Sequence, residues 1–278
     1  MAKPQTWRAK RTQFMHRVHA RSVSRARPAT GFVSQPEPRT IGHFARGRQL
    51  VAGNYLFAGS LTEAKNAIIW DIAKDNEVVA EELQGCAWLD DLAAVGDAKA
   101  RGCAQKWVLE WITRFGNGRG LGWTPDLVGR RLIRWIQHGF FLLRGLEKDD
   151  SQAFYRSLAQ QTIFLSRRWH TSAQGLPRFE ALTGMIYAGL SLEGMEEHVA
   201  PAVKALARDC SQEIDDTGGI PTRNPEELLE VLTLLTWATA ALKESGNQPP
   251  AAIAAAIARI TPTLRALRHA DGGLARFH

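Results

Sequence analysis

Glycine-rich turns that lead into helix starts recur along this chain at residues 120–124, 175–177 and 218–225, an interval of about fifty residues. Two helices and two connections fill such an interval, so the recurrence restricts the chain to stacked helical hairpins. Thr124-Pro125-Asp126 supplies a cap, a proline at the first helical position and an acid in the first turn. Asn224-Pro225-Glu226-Glu227 repeats that chemistry. Asp216-Thr217-Gly218-Gly219 is partly echoed at Asp271-Gly272-Gly273, so a structural repeat is more evident than a sequence repeat.

The apolar spacing predicts helices over 81–95, 98–115, 124–144, 151–170, 177–193, 195–213, 225–245 and 249–268. The helix from 225 carries Leu228, Leu229, Val231, Leu232, Leu234, Leu235 and Trp237, apolar on nearly every side. Such a helix has to lie inside a second layer of helices. The helix from 195, with Glu196, Glu197, Lys204, Arg208 and Asp209, is amphipathic and suits that outer layer. Inner and outer helices in alternation make a double-ring toroid or a solenoid. The expected fold class is therefore all-α, an incomplete or compact α/α toroid over 41–278. Residues 42–59 read as a short helical turn followed by extended structure. The stretch 60–79 is ambiguous, and Ile68-Ile69-Trp70-Asp71-Ile72 could form a short strand.

Charge separates the beginning of the chain from the rest. Residues 1–50 hold eleven of the 35 Lys and Arg but one of the 28 acids, Glu37, a net of +10; the other residues net −3. With few large apolar residues, 1–40 reads as a basic leader, largely disordered or loosely helical, able to hold an anionic partner by charge. Cys86, Cys103 and Cys210 are odd in number and lack metal-ligand spacing, which argues against a disulfide framework or a zinc site. Apolar stretches such as 133–143 are too short and too interrupted for a membrane span, so no transmembrane segment is expected. Met1-Ala2-Lys3-Pro4 is not followed by the apolar run of a secretory signal, which places the chain in the cytoplasm by default. Nine Trp against three Tyr is an unusual balance; flat rings suit both a packed core and a sugar face.

Three ordered segments resemble the heparinase II/III family. Leu121-Gly122-Trp123-Thr124-Pro125-Asp126, continuing through Arg130-Arg131-Leu132-Ile133-Arg134-Trp135, is similar to a Trp-x-Pro followed by a helix with Arg-Leu/Ile and then Trp. Gly175-Leu176-Pro177-Arg178-Phe179-Glu180-Ala181, running on to Tyr187, resembles a second segment, and Asp216 through Pro225 a third. The likeness runs from about Arg46 to the last residue and is nearest to bacterial members. It implies an α/α toroid that a large β-sandwich follows in the lyases, and a periplasmic location as an alternative. This chain stops at Arg276-Phe277-His278, about where the sandwich should begin. The resemblance thus implies a truncated product or a toroid without its partner domain.

By the same resemblance the partner is an acidic, uronic-acid polysaccharide, cleaved by β-elimination or merely bound. Such cleavage needs a group that neutralises the sugar carboxylate and a Tyr or His that removes the neighbouring proton. The family's Asn-His stands where this sequence has Leu176-Pro177, and its Tyr where this sequence has Glu227. A further family His comes from the sandwich. The catalytic residues are therefore unassigned, with Tyr187 a substitute base that equally suits packing between helices. Trp123, Arg131, Trp135, Arg178, Glu180, Arg223 and Asn224 are the expected substrate-binding residues: Arg178, Arg223 and Asn224 at helix starts whose free N–H groups suit carboxylates or sulfates, Trp123 and Glu180 nearby, and Arg131 and Trp135 two turns or more inside their helix. Asn224 also reads as a simple cap, and Arg131 with Glu180 as a buried pair. His138 and His170 lack metal-ligand spacing, and no cofactor motif is present. The competing reading is a non-catalytic helical scaffold for a glycan or protein.

Overall fold

The computed structural model describes residues 6–23, 29–65, 67–72 and 76–275. Within them the chain runs through α1 (Trp7–Ser22), α2 (Phe44–Ala52), α3 (Glu77–Gln84), α4 (Trp88–Val95), α5 (Ala98–Phe115) and α6 (Pro125–Gln137). It continues through α7 (Gly139–Leu143), α8 (Lys148–Arg168), α9 (Leu176–Ser191), α10 (Val199–Glu213), α11 (Pro225–Glu244) and α12 (Ala251–Ala266). A small antiparallel hairpin, β1 (Asn54–Phe57) with β2 (Ser60–Glu63), interrupts the helices without changing the all-α class. Among the described residues no helix is long and apolar enough to cross a membrane. The C-terminal Arg276-Phe277-His278 lies outside the described residues.

The helices form two layers. α6, α9 and α11 lie side by side inside, while α5, α8, α10 and α12 cover them from outside. The fifty-residue repeat is visible as direct contact: Arg130 pairs with Glu180 and Gln137 with Tyr187, each fifty residues apart. Both offsets have the same sign, so α6 and α9 run parallel. Their close approach depends on glycine. A Cβ on Gly129 would sit 2.3 Å from the Glu180 carbonyl oxygen, and one on Gly184 would sit 2.5 Å from the Gly129 Cα. Almost every side of these two helices is buried. α11 is less enclosed than its apolar sequence suggests, since Leu229, Leu232 and Trp237 remain half-buried.

Several local expectations are corrected. The expected helix 81–95 breaks at Gly85-Cys86, where Cys86 takes φ +60° and redirects the chain into α4. The expected 124–144 breaks at His138 (φ −99°, ψ 19°), whose imidazole is held by Asp90 at 2.8 Å. Ile68–Ile72 forms no strand; Ile69–Asp71 is a 3-10 turn that buries Trp70, whose Nε1 donates to the Trp107 carbonyl at 3.0 Å. Pro125 does open α6, but Thr124 contributes no side-chain cap bond, whereas Asn224 Oδ1 accepts from the Glu226 N–H at 2.9 Å.

The basic leader is also more ordered than its composition implies, although residues 1–5 and 24–28 lie outside the described residues. α1 is capped by Thr6 and seats His16, Ala20 and Val23 in the fold. Small residues suffice because Gly118 lets the Ala20 methyl approach: a Cβ on Gly118 would sit 2.9 Å from it. After α1, residues 30–41 form a strap. Phe32 bridges Leu192, Ser34 Oγ donates to the Leu190 carbonyl at 2.8 Å, Gln35 donates to Ile136 and Gln137 carbonyls, and Arg39 pairs with Glu244. The strap thereby ties together the C-terminal ends of α6, α9 and α11.

Gly184→Ala should destabilise the protein by about 1–3 kcal/mol, because the added methyl meets backbone that cannot move aside. Urea unfolding would measure it; an unchanged midpoint would show that the two inner helices can separate freely.

Candidate functional site

A groove of about 270 Å³ opens on the inner layer. Arg130, Ile133 and Arg134 of α6, Glu180 of α9, and Glu230 and Trp237 of α11 line it, with Glu82 closing one side. The start of α9 at Leu176 also faces it, and that helix has no side-chain cap. Arg130 and Arg134 are four residues apart, so they project from the same face of α6.

The groove's charges are largely matched from within. Arg130 Nε donates to Glu180 Oε1 at 2.6 Å. Glu180 Oε2 is buried with no hydrogen-bond partner among the described residues. Burial therefore prevails over the attraction of Arg130 and pushes the Glu180 carboxyl up to about 7. Arg134 Nε donates to Asp90 Oδ2 at 3.0 Å, and Asp90 Oδ1 lies 2.8 Å from His138 Nε2. Burial would raise the Asp90 carboxyl, but Arg134 and His138 outweigh it and hold it below the ordinary value. Asp90 and His138 also floor a second cavity of about 470 Å³ under the strap, walled by Pro38, Ile41, Phe140 and Phe141.

Of the residues expected from the sequence, the structure places Glu180 in the groove. Arg131 is fully buried, with donors spent on Gln161 Oε1 (2.7 Å) and the carbonyls of Gln84 and Gly122 (both 3.0 Å). Its guanidinium lies 3.9 Å over the Trp111 ring, and its partner is not Glu180. Trp123 and Trp135 are buried against Trp111, at 5.9 and 5.4 Å between ring centroids. Tyr187 is fully buried; its hydroxyl accepts from Gln137 Nε2 at 3.4 Å, and burial pushes its pKa up to about 12. In this state none of these four presents a surface to a ligand, because the two-layer core has closed over them. Arg178 donates to the Ser172 carbonyl at 2.8 Å and lies 3.9 Å from the Asp209 carboxylate of α10. Arg223 pairs with Asp215 at 2.9 Å on the exposed 215–224 corner, and Asn224 serves there as the α11 cap. Neither lines the groove.

Sequence reading missed Arg130, Arg134, Glu230 and Trp237. The available signal was the spacing Arg130–Arg134–His138, which sets three bases along one face of α6. Among the described residues no group of three His, Cys, Asp or Glu could hold a metal ion. Cys86 and Cys210 are buried free thiols and Cys103 is half-buried.

The raised Glu180 pKa has a sign that stability can report. The folded state holds this proton more tightly than the unfolded chain, so the contribution is present below about 4.5 and lost as pH rises through about 7. Glu180→Gln should remove that decline, and denaturant titrations of both proteins across this range would measure it. Parallel curves would mean that the carboxyl titrates normally.

No family model matches the chain. It is 29% identical over 268 residues to FtsZ-localized protein C of Caulobacter vibrioides (strain NA1000 / CB15N), covering 94% of this chain and 45% of that protein. Among solved structures it superimposes on heparan sulfate lyase HepC from Pedobacter heparinus with a TM-score of 0.61 at 15% identity, over 96% of this chain and 45% of that one. Heparinase III gives a TM-score of 0.64 at 13% identity, over 95% and 44%. The heparinase III BT4657 gene product with methylated lysines gives 0.62 at 15%, over 95% and 48%. The chain thus spans less than half the length of these relatives. With its two helical layers, it has a heparinase II/III-like fold.

Proposed function

We propose that this chain is a non-catalytic glycan-binding domain built on the heparinase-type helical fold. The observation that carries this reading is the composition of the inner groove. Trp237 lines it together with the charged residues Arg130, Arg134 and Glu230. Planar aromatic rings cover the apolar face of a sugar, while planar guanidinium and carboxylate groups bind its paired hydroxyls. The HepC and heparinase III likeness in fold supports a polysaccharide as the ligand.

The same geometry favours binding over cleavage. Tyr187, the substitute base considered from the sequence, is sealed in the core with a pKa raised to about 12. Proton abstraction at neutral pH requires a base near that pH and open to the sugar. An acidic sugar has to compete with Glu180 for Arg130. Protonation of Glu180 as pH falls through about 7 frees that guanidinium, so acidic glycans should bind more tightly on the acid side.

A second reading is a scaffold for a protein partner. It is favoured by the relative named FtsZ-localized protein C, whose similarity runs over 94% of this chain.

Titration calorimetry against heparin, heparan sulfate, alginate and bacterial acidic polysaccharides, with ultraviolet absorbance followed for unsaturated uronic product, separates these readings. The expected result is saturable binding without product. Trp237→Ala should weaken it by about tenfold, a loss of ~1.4 kcal/mol, and Tyr187→Phe should leave it unchanged. Product formation would overturn the non-catalytic assignment. No binding to any glycan, with capture of FtsZ, would move the assignment to the scaffold.

A further inference from the structure

Away from the groove, α1 meets the end of α8 in a cluster of bases. His16 is 5% exposed, lies against Phe164 (5.7 Å between ring centroids), and accepts at Nδ1 from Arg168 Nε at 3.4 Å. Beside it, Arg167 donates to Ser22 Oγ at 3.3 Å. His19 of α1 and His170 in the turn after α8 complete the cluster. Both interact with Arg168, and α9 adds Arg178 on the His170 side.

Four arginines elsewhere in this fold are matched by acids: Arg130 with Glu180, Arg134 with Asp90, Arg114 with Asp71, and Arg223 with Asp215, and the buried Arg131 by Gln161 and two carbonyls. Here, among the described residues, neither Arg167 nor Arg168 pairs with a carboxylate. The charged groups acting on His16, His19 and His170 are all bases. Burial first, and then Arg168, His19 and His170, push His16 down to about 4. Basic residues in the last turn of α8 suit its dipole. The dipole does not account for an imidazole buried among them.

We propose that this cluster is a binding site for a tetrahedral oxyanion, a phosphate or sulfate group, held between α1 and the end of α8. Arg167 and Arg168 supply guanidinium donors, and the three imidazoles supply N–H groups once protonated. Binding is therefore coupled to proton uptake by His16, His19 and His170, and the bound anion fastens α1 to α8. A small soluble anion and a phospholipid headgroup share this chemistry. Because Trp7, Phe14 and Val18 stand exposed on the same helix, both sources belong in the test.

Inorganic sulfate is the suitable probe, since it keeps its charge across the histidine range and any pH dependence belongs to the protein. Histidine NMR titrations of the full chain in sulfate, against chloride at equal ionic strength, should show the midpoints of His16, His19 and His170 moving up. A rise of about one pH unit in one of them corresponds to about tenfold tighter binding on the acid side. Arg168→Gln should abolish the sulfate effect. The exposed Arg167→Gln should weaken it several-fold, and circular dichroism would confirm that both remain folded. Displacement of sulfate by phosphatidylglycerol vesicles would assign the source as a headgroup. Failure of the vesicles to displace it would assign a soluble anion. Midpoints that are identical in sulfate and chloride would overturn the site.

Discussion

A single buried guanidinium holds the centre of this fold. Arg131 is removed from water without a carboxylate partner, and burial lowers its pKa to about 10. It therefore stays charged at neutral pH and needs other compensation. Gln161 of α8, the Gln84 carbonyl at the end of α3 and the Gly122 carbonyl before α6 supply acceptors, while Trp111 of α5 supplies a π face. One side chain thus fixes four helices and a loop relative to one another. Loss of any acceptor would leave a buried charge underpaid, which is among the more destabilising changes a core can suffer. The aromatic cluster around it, in which Trp111 touches Trp123 and Trp135, provides the apolar enclosure that makes those hydrogen bonds strong.

The groove inherits its geometry from the same helix. Successive residues on α6 are rotated by about 100°, so neighbouring arginines have separate environments: Arg131 enters the core while Arg130 faces the groove. The close glycine contact between α6 and α9 then sets Glu180 opposite Arg130. One turn later Arg134 reaches Asp90, and His138 contacts the same carboxylate from the other side. A ladder of paired charges along α6 therefore separates the inner groove from the cavity beneath the strap. The charges of this ladder are thus matched within the protein itself.

The sequence alone determined the all-α class, the fifty-residue hairpin repeat and most helix positions. These follow from local rules: proline and acid at helix starts, glycine in turns, and apolar periodicity. It also identified the segments that resemble heparinase II/III proteins and the departures at Leu176-Pro177 and Glu227. The breaks at Cys86 and His138 were not legible, because each is set by contacts with other parts of the chain. The docking of α1 was missed because its seat depends on the absence of a side chain at Gly118, a feature that composition does not register. Only the tertiary structure decided which polar residues line the groove. Spacing can put Arg130 and Arg131 on one helix, but burial, partner and exposure are properties of what packs against that helix. For the same reason Trp123, Trp135 and Tyr187 became core, whereas Trp237 reached the groove: an aromatic ring suits either place, and the second layer of helices makes the choice.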